Sequence, residues 1–186
     1  MKRHVMHLAF LALASGMAIS NHAAASDADF ALIKEVLQHP RCQNCHIPGN
    51  QPLQYDEGRA HAQFVQRGVD GKGAPGMPCS ACHGNANLPA SYGGHVPPGA
   101  PNWRLPPADK KMVFIGLDAH DLCVRLKDTH GNNGKDLPAL LEHVDHDPLV
   151  LWGWNPGQER APVAIPHADF VAAFNRWVDA GGPCPK

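Results

Sequence analysis

The chain has 186 residues with 16 basic and 17 acidic side chains, so its formal net charge of −1 gives no electrostatic reason to expect nucleic acid or an anionic membrane as a partner. Its 18 prolines and 18 glycines indicate long irregular segments, and runs with the two-residue periodicity of strands are few. The composition therefore predicts a mainly α fold of short helices and long irregular loops, with little or no sheet, organised around a large apolar cofactor.

The first 25 residues have the pattern of a secretory signal peptide. The basic start MKRH is followed by the apolar run VMHLAFLALASGMAIS and by the small residues HAAAS, with cleavage predicted after Ala25. The apolar run is too short and wrongly flanked for a lasting membrane anchor, which is the alternative interpretation. Residues 26–186 are then a single domain exported to the periplasm, with 14 basic and 17 acidic residues because cleavage removes Lys2 and Arg3.

Short helices are predicted at five places, where apolar residues are spaced three or four apart. The first begins at Asp27 or Asp29 and stops at Pro40. The other four cover residues 56–68, 117–127, 137–144 and 167–180. The proline-rich segments between them are expected to be irregular.

Two five-residue sequences, CQNCH from residue 42 and CSACH from residue 79, have the C-x-x-C-H pattern of c-type haem attachment. Two thiols one helical turn apart form thioethers with the vinyl groups on one porphyrin edge, and the adjacent histidine ligates the iron. The pattern predicts two covalently bound haems c. The predicted thioether cysteines and proximal histidines are Cys42, Cys45 and His46 for the first motif, and Cys79, Cys82 and His83 for the second.

Two other functions of C-x-x-C pairs compete with haem attachment. Two such pairs can build a four-thiolate zinc ribbon, and one pair can be a thioredoxin-like dithiol. Neither alternative explains why a histidine follows the second cysteine both times. Thiolate zinc sites are also less expected in an oxidising compartment, and no βαβ pattern surrounds either motif.

Cys123 and Cys184 are left over from the two motifs, in a compartment that permits disulfides. We predict that they form a disulfide that closes a loop of about 60 residues and acts as a structural link. A reactive or redox-sensing thiol is the alternative, and it is weaker because the two cysteines can satisfy each other.

The sixth ligand of each iron has several candidates, because residues 26–186 hold eight histidines outside the motifs and two methionines. This supply favours histidine, which gives a lower reduction potential than methionine. His61, between the two motifs, and His143, at the end of the apolar run LPALLEHV, are the predicted distal ligands. His95 and Met112 are held in reserve. For each histidine the alternative is an ordinary surface or core side chain.

Several longer segments carry a family resemblance: RCQNCHIPGNQPLQ, HAQFVQRGVDGKGAPGMPCSACHG, PPGAPNWRLPP, HVDHDPLVLWGWNPG and the final W-x-x-x-GGPCP. Together they resemble small exported dihaem proteins of proteobacteria labelled isoquinoline 1-oxidoreductase subunits, over nearly the whole of residues 26–186. The resemblance implies that the chain accepts electrons from a periplasmic molybdenum hydroxylase. The chain itself has no cysteine set for an iron–sulfur cluster and is too short to hold a molybdopterin domain.

These features predict an electron carrier that exchanges single electrons with redox protein partners. The alternative is a peroxidase-like haem enzyme with one open iron coordination site, for which Arg104, Arg125 and Glu142 are the candidate distal groups. A haem-based sensor ranks last because no output domain is attached. The four tryptophans are expected to pack against the porphyrins rather than to relay electrons.

Overall fold

The computed structural model describes residues 15–186, with side chains from Ser26 onward. The first part of the predicted signal peptide, residues 1–14, lies outside the described residues. The helices are α1 (Ser15–Leu37), α2 (Pro40–Gln43), α3 (Ala119–Lys127), α4 (Leu137–His146), α5 (Pro148–Leu151) and α6 (His167–Asp179). Two antiparallel hairpins of two-residue strands complete the regular structure: β1 (Leu53–Gln54) with β2 (Arg59–Ala60), and β3 (Gly73–Ala74) with β4 (Met77–Pro78).

The mainly α class with little sheet is therefore confirmed, and so are the helices predicted at 117–127, 137–144 and 167–180, which are α3, α4 and α6. An aspartate fixes the start of the first two. Asp118 accepts a hydrogen bond from the amide of Asp121 at the start of α3, and Asp136 accepts one from Ala139 at the start of α4. Such N-cap bonds satisfy amides that have no partner within the helix.

The core lies where α1, α3, α4 and α6 meet. Helix α6 contributes an aromatic row in which neighbouring rings contact one another, with Phe170, Phe174 and Trp177 almost fully buried. Phe30 of α1 packs against Trp177 at a ring-centroid distance of 5.5 Å. The indole Nε1 of Trp177 donates to the carbonyl of Pro183, so the buried polar group of this side chain is satisfied.

Two helix predictions are wrong in their bounds or type. Helix α1 begins at Ser15 rather than at Asp27 or Asp29, because the alanine-containing segment before them has no proline to interrupt it. It therefore runs through the predicted cleavage site after Ala25.

No helix among residues 15–186 has both the length and the apolar character that crossing a membrane would require.

The helix predicted over 56–68 is not formed. The segment contains β2 and a single 3₁₀ turn at Ala62–Phe64, and its backbone has positive φ at Gly58, Gln63 and Phe64. Residues outside the segment bind its backbone: the Gln51 side chain donates to the carbonyl of His61 over 2.8 Å. These tertiary bonds replace the helical ones.

The glycine-rich segment before the second motif packs closely on the loop that follows it. Gly71 has φ +82°, and a Cβ there would lie 2.0 Å from the carbonyl oxygen of Leu105. The amide of Leu105 donates to the carbonyl of Gly71 over 2.9 Å. Only glycine permits this close approach, which brings the second motif against the segment that contains Trp103.

The two leftover cysteines meet at the edge of the core. The Sγ atoms of Cys123 and Cys184 are 2.02 Å apart, and their Cα atoms are 5.4 Å apart. The bond joins α3 to the tail that follows α6, across 61 residues of sequence.

Candidate haem sites

The first motif (Cys42–His46) and the second motif (Cys79–His83) have the same local geometry. In each, the amide of the histidine donates to the carbonyl of the first cysteine, over 3.2 Å in the first motif and 3.0 Å in the second. A proline begins the first turn at Pro40, and another precedes the second turn at Pro78. One turn of backbone therefore holds the two thiols and the imidazole of each motif together.

Both motif histidines use the same ring nitrogen for a backbone hydrogen bond. The Nδ1 atom of His46 lies 2.7 Å from the carbonyl oxygen of Met112, and that of His83 lies 2.8 Å from the carbonyl oxygen of Pro98. Since a carbonyl can only accept, Nδ1 carries the proton in both rings. The lone pair is then on Nε2, which is the arrangement of a histidine that ligates a metal.

An aromatic ring lies parallel to each motif histidine. Phe114 stacks on His46 with ring centroids 3.9 Å apart and planes 8° apart. Trp103 stacks on His83 with centroids 4.4 Å apart and planes 7° apart. The hydrogen bond and the stacking together fix the position and the plane of each imidazole.

The first motif faces a cavity of about 210 Å³, called here the first cavity, which is lined by Cys42, Cys45 and His46. The lining also includes apolar core side chains, among them Val36, Leu126, Leu140, Val144, Phe170 and Phe174. The cavity is thus part of the hydrophobic core, as a site for a large apolar group needs to be.

Three basic side chains also line the first cavity and are exposed or half-exposed: Arg104, Lys110 and Lys135. They mark the part of the wall that reaches solvent. A haem has an apolar ring and two carboxylates, so an apolar interior with cations at its margin fits both parts of that group.

The interior position of the first motif changes the acid–base behaviour of its side chains. Burial raises the pKa of Cys42 to about 12 and that of Cys45 to about 11, the latter against the opposing charge of Arg67. Burial also lowers the pKa of His46 to about 4. The thiols and the imidazole are therefore neutral at pH 7. This environment suits neutral thioethers better than the thiolates of a zinc site.

His143, one of the two predicted distal ligands, lies on the wall of the first cavity together with His46. Its Nδ1 is 3.2 Å from a carboxylate oxygen of Asp147, one turn further along the chain. The hydrogen bond from His143 lowers the pKa of Asp147, so the carboxylate is charged at neutral pH. A histidine whose Nδ1 bonds to a carboxylate presents Nε2 as a metal ligand.

His61, the other predicted distal ligand, lies beside the second motif. Its ring centroid is 6.1 Å from that of His83, with the ring planes at 65°. A metal held between two imidazoles by bonds of about 2 Å puts the ring centroids roughly 6 Å apart. The Nδ1 of His61 is 2.9 Å from the carbonyl of Ala62, which leaves Nε2 free, as in the motif histidines.

The two reserve ligands lie elsewhere. The side chain of His95 is 81% exposed and its Nδ1 is 3.1 Å from the carboxylate of Glu159. Met112 lines the first cavity, but its own carbonyl accepts the hydrogen bond from His46. The backbone of Met112 is therefore on the His46 side of the site rather than opposite it.

The two motifs are linked by aromatic side chains. Trp103 stacks on His83 and also lines the first cavity. Its ring meets that of Trp152 at a centroid distance of 4.9 Å and an angle of 86°, and the guanidinium of Arg41 lies 5.9 Å from the centre of Trp152. These contacts therefore connect His83 to Arg41, the residue directly before the first motif. The predicted packing role of the tryptophans is compatible with this arrangement.

Sequence reasoning did not identify the groups that hold the motif histidines. Two of them, the carbonyls of Met112 and Pro98, belong to the backbone and have no residue-type signature. It also did not identify Arg67, which is fully buried beside the first motif. A single arginine in a glycine-rich segment gives no indication of burial, because arginine is rarely buried.

Among the side chains that the structure describes, no three of the types His, Cys, Asp and Glu converge on one point. Comparison with protein-family models, curated proteins and solved structures finds no match to this chain.

Proposed function

We propose that this chain is a periplasmic dihaem c-type cytochrome that carries single electrons between redox protein partners. The observation that supports this most is the parallel construction of the two motifs. Each has two cysteines and a histidine within one turn, a carbonyl on Nδ1 of the histidine, and an aromatic ring on its face. A C-x-x-C-H sequence that occurred by chance would not be expected to have its imidazole fixed in this way.

In this proposal the cysteines of each motif attach a haem, which supplies reversible one-electron chemistry at its iron. His46 and His83 are the proximal ligands, held by the Met112 and Pro98 carbonyls. His143 is the distal ligand for the first haem and His61 for the second. The irregular segments between the helices wrap around the two haems. In the first site the apolar wall also excludes water, which helps to set the reduction potential.

The partners are proposed from chemistry and from resemblance. A carrier docks transiently through a small, wet interface, so the partners are redox proteins rather than a permanent subunit. The resemblance to proteins labelled isoquinoline 1-oxidoreductase subunits implies a periplasmic molybdenum hydroxylase as the electron donor. Export follows from the signal-peptide pattern of residues 1–25.

The direct test is the haem content of the protein expressed in the periplasm of a host that matures c-type cytochromes. We expect two haems per chain in the pyridine haemochrome assay, and a denatured mass equal to the chain from Ser26 plus two haems. Haem that dissociates on denaturation, or a chain that binds zinc and no haem, would contradict the proposal.

Replacing His143 or His61 singly with alanine is expected to convert one haem from low spin to high spin while the other stays low spin. The physical reason is that each variant loses one axial ligand and its strong ligand field. Electron paramagnetic resonance and optical spectra of the ferric protein measure this, with His95→Ala as the matched control that leaves both haems low spin.

The same spectra separate the carrier from the peroxidase-like alternative. The carrier is expected to be entirely low spin before any substitution. A high-spin fraction in the unaltered protein that readily binds cyanide would instead support an enzyme with an open coordination site. No spin change in either histidine variant would refute the ligand assignment.

A further inference from the structure

Arg67 is a buried cation without a carboxylate partner. Its side chain has no solvent exposure, and its guanidinium donates to the backbone carbonyls of Pro106, Ile47 and Gly49. In the part of the chain that the structure describes, no Asp or Glu lies within ion-pair distance of it. Its Nε has no hydrogen-bond partner.

Arg41 shows what the compensated alternative looks like in the same region. It is also buried, but its guanidinium forms an ion pair with Asp56. The opposite charges of Arg41 and Asp56 largely cancel in their effect on groups further away. An arginine stays protonated in a folded protein, so Arg67 keeps a full positive charge, and the described protein groups that offset it are carbonyl dipoles. Burying such a charge is costly, and a fold that retains it has a compensating use for it or loses stability.

Arg67 lies between the two motifs. Two of the carbonyls that it binds belong to Ile47, which directly follows His46, and to Gly49. The third belongs to Pro106, which lines the first cavity. The backbone of Arg67 is bonded to Gly73, six residues before the second motif begins. Its charge therefore acts on the haem sites through protein rather than through water.

We propose that Arg67 is a positioning residue that raises the reduction potential of the first haem through a buried charge that no side-chain carboxylate offsets. This inference rests on the proposed function. When an electron passes from a donor protein to the ferric haem, the positive charge of the site falls by one unit. A fixed cation nearby favours that reduced, ferrous form, and the effect is strong where the effective dielectric constant is low.

The experiment compares the midpoint potentials of both haems in the intact dihaem protein by spectroelectrochemical titration. Arg67→Met removes the charge and keeps the bulk, and we expect it to lower the potential of the first haem. Arg67→Gln, which keeps amide donors for the carbonyls, is expected to lower the same potential and serves if the methionine variant does not mature. Arg67→Lys keeps the charge and is expected to keep the potential.

Arg59→Met is the matched control, because Arg59 carries the same charge on a side chain that is 70% exposed. Water and salt screen an exposed charge, so this variant is expected to leave both potentials unchanged. The shift in Arg67→Met is expected to persist at high ionic strength, since the charge is buried.

Unchanged potentials in both neutral variants would overturn the inference, and so would an Arg67→Lys variant whose potential falls as far as that of Arg67→Met. The latter result would assign Arg67 a purely structural role. Both outcomes differ from failure of the proposed function, in which the unaltered protein would hold no covalent haem at all.

Discussion

Replacing Cys42 and Cys45 together with alanine is expected to prevent the attachment of one haem and to lower the free energy of unfolding by about 5 kcal/mol. The first cavity is about 210 Å³ and lies in the core. At about 24 cal/mol per Å³, a core that keeps such a cavity unfilled loses on the order of 5 kcal/mol. The net stability of a domain is only about 5–15 kcal/mol. Thermal unfolding followed by circular dichroism measures the loss.

The matched control is the double variant Cys79→Ala, Cys82→Ala, which removes the other haem. The second motif lies in an irregular, largely exposed segment, and Cys82 itself is exposed. This variant is therefore expected to keep one haem and a cooperative transition at a moderately lower temperature. Equal stability losses in the two double variants would contradict the claim that the first haem belongs to the core and the second does not.

The sequence was most informative where the structure depends on local chemistry. Helices α3 and α4 could be predicted because apolar residues recur at a spacing of three or four in each, and the structure adds an aspartate N-cap at each start. The two motifs could be found because thioether attachment requires cysteines at a fixed spacing. The segment 56–68 has acidic residues at its start, as helices do, but the Gln51 side chain binds the carbonyl of His61 within it, and the Asn44 side chain binds that of Tyr55 just before it.

The proposed distal ligands show the limit of the same reasoning. His61 and His143 could be nominated from their positions between apolar residues, but the sequence did not say which haem each would serve. That assignment depends on contacts across long sequence separations, such as α4 forming a wall of the first cavity. Likewise, the stacking of Trp103 on His83 depends on how Gly71 brings two loops together. Such contacts are set by the tertiary fold and leave no pattern within a short window of sequence.

Replacing Cys123 and Cys184 together with alanine is expected to lower the free energy of unfolding by about 4 kcal/mol, because the disulfide restricts a loop of this length in the unfolded chain. For a chain of this size the melting temperature should fall by roughly 8–16 °C. Thermal unfolding of the haem-loaded protein under oxidising conditions measures the change.

The control for that change is His120→Ala, since His120 also ties α3 to the C-terminal tail, through a hydrogen bond of 2.7 Å to the carbonyl of Pro185. One such hydrogen bond contributes about 1 kcal/mol, so His120→Ala should lower the free energy of unfolding several times less than the double cysteine variant does. Both changes lie outside the candidate haem sites, and the midpoint potentials should stay the same in each variant.

The disulfide joins two of the elements that line the first cavity, because Leu126 of α3 and Phe174 of α6 both belong to its lining. A cysteine variant that melts at an unchanged temperature would contradict this stabilising role of the disulfide.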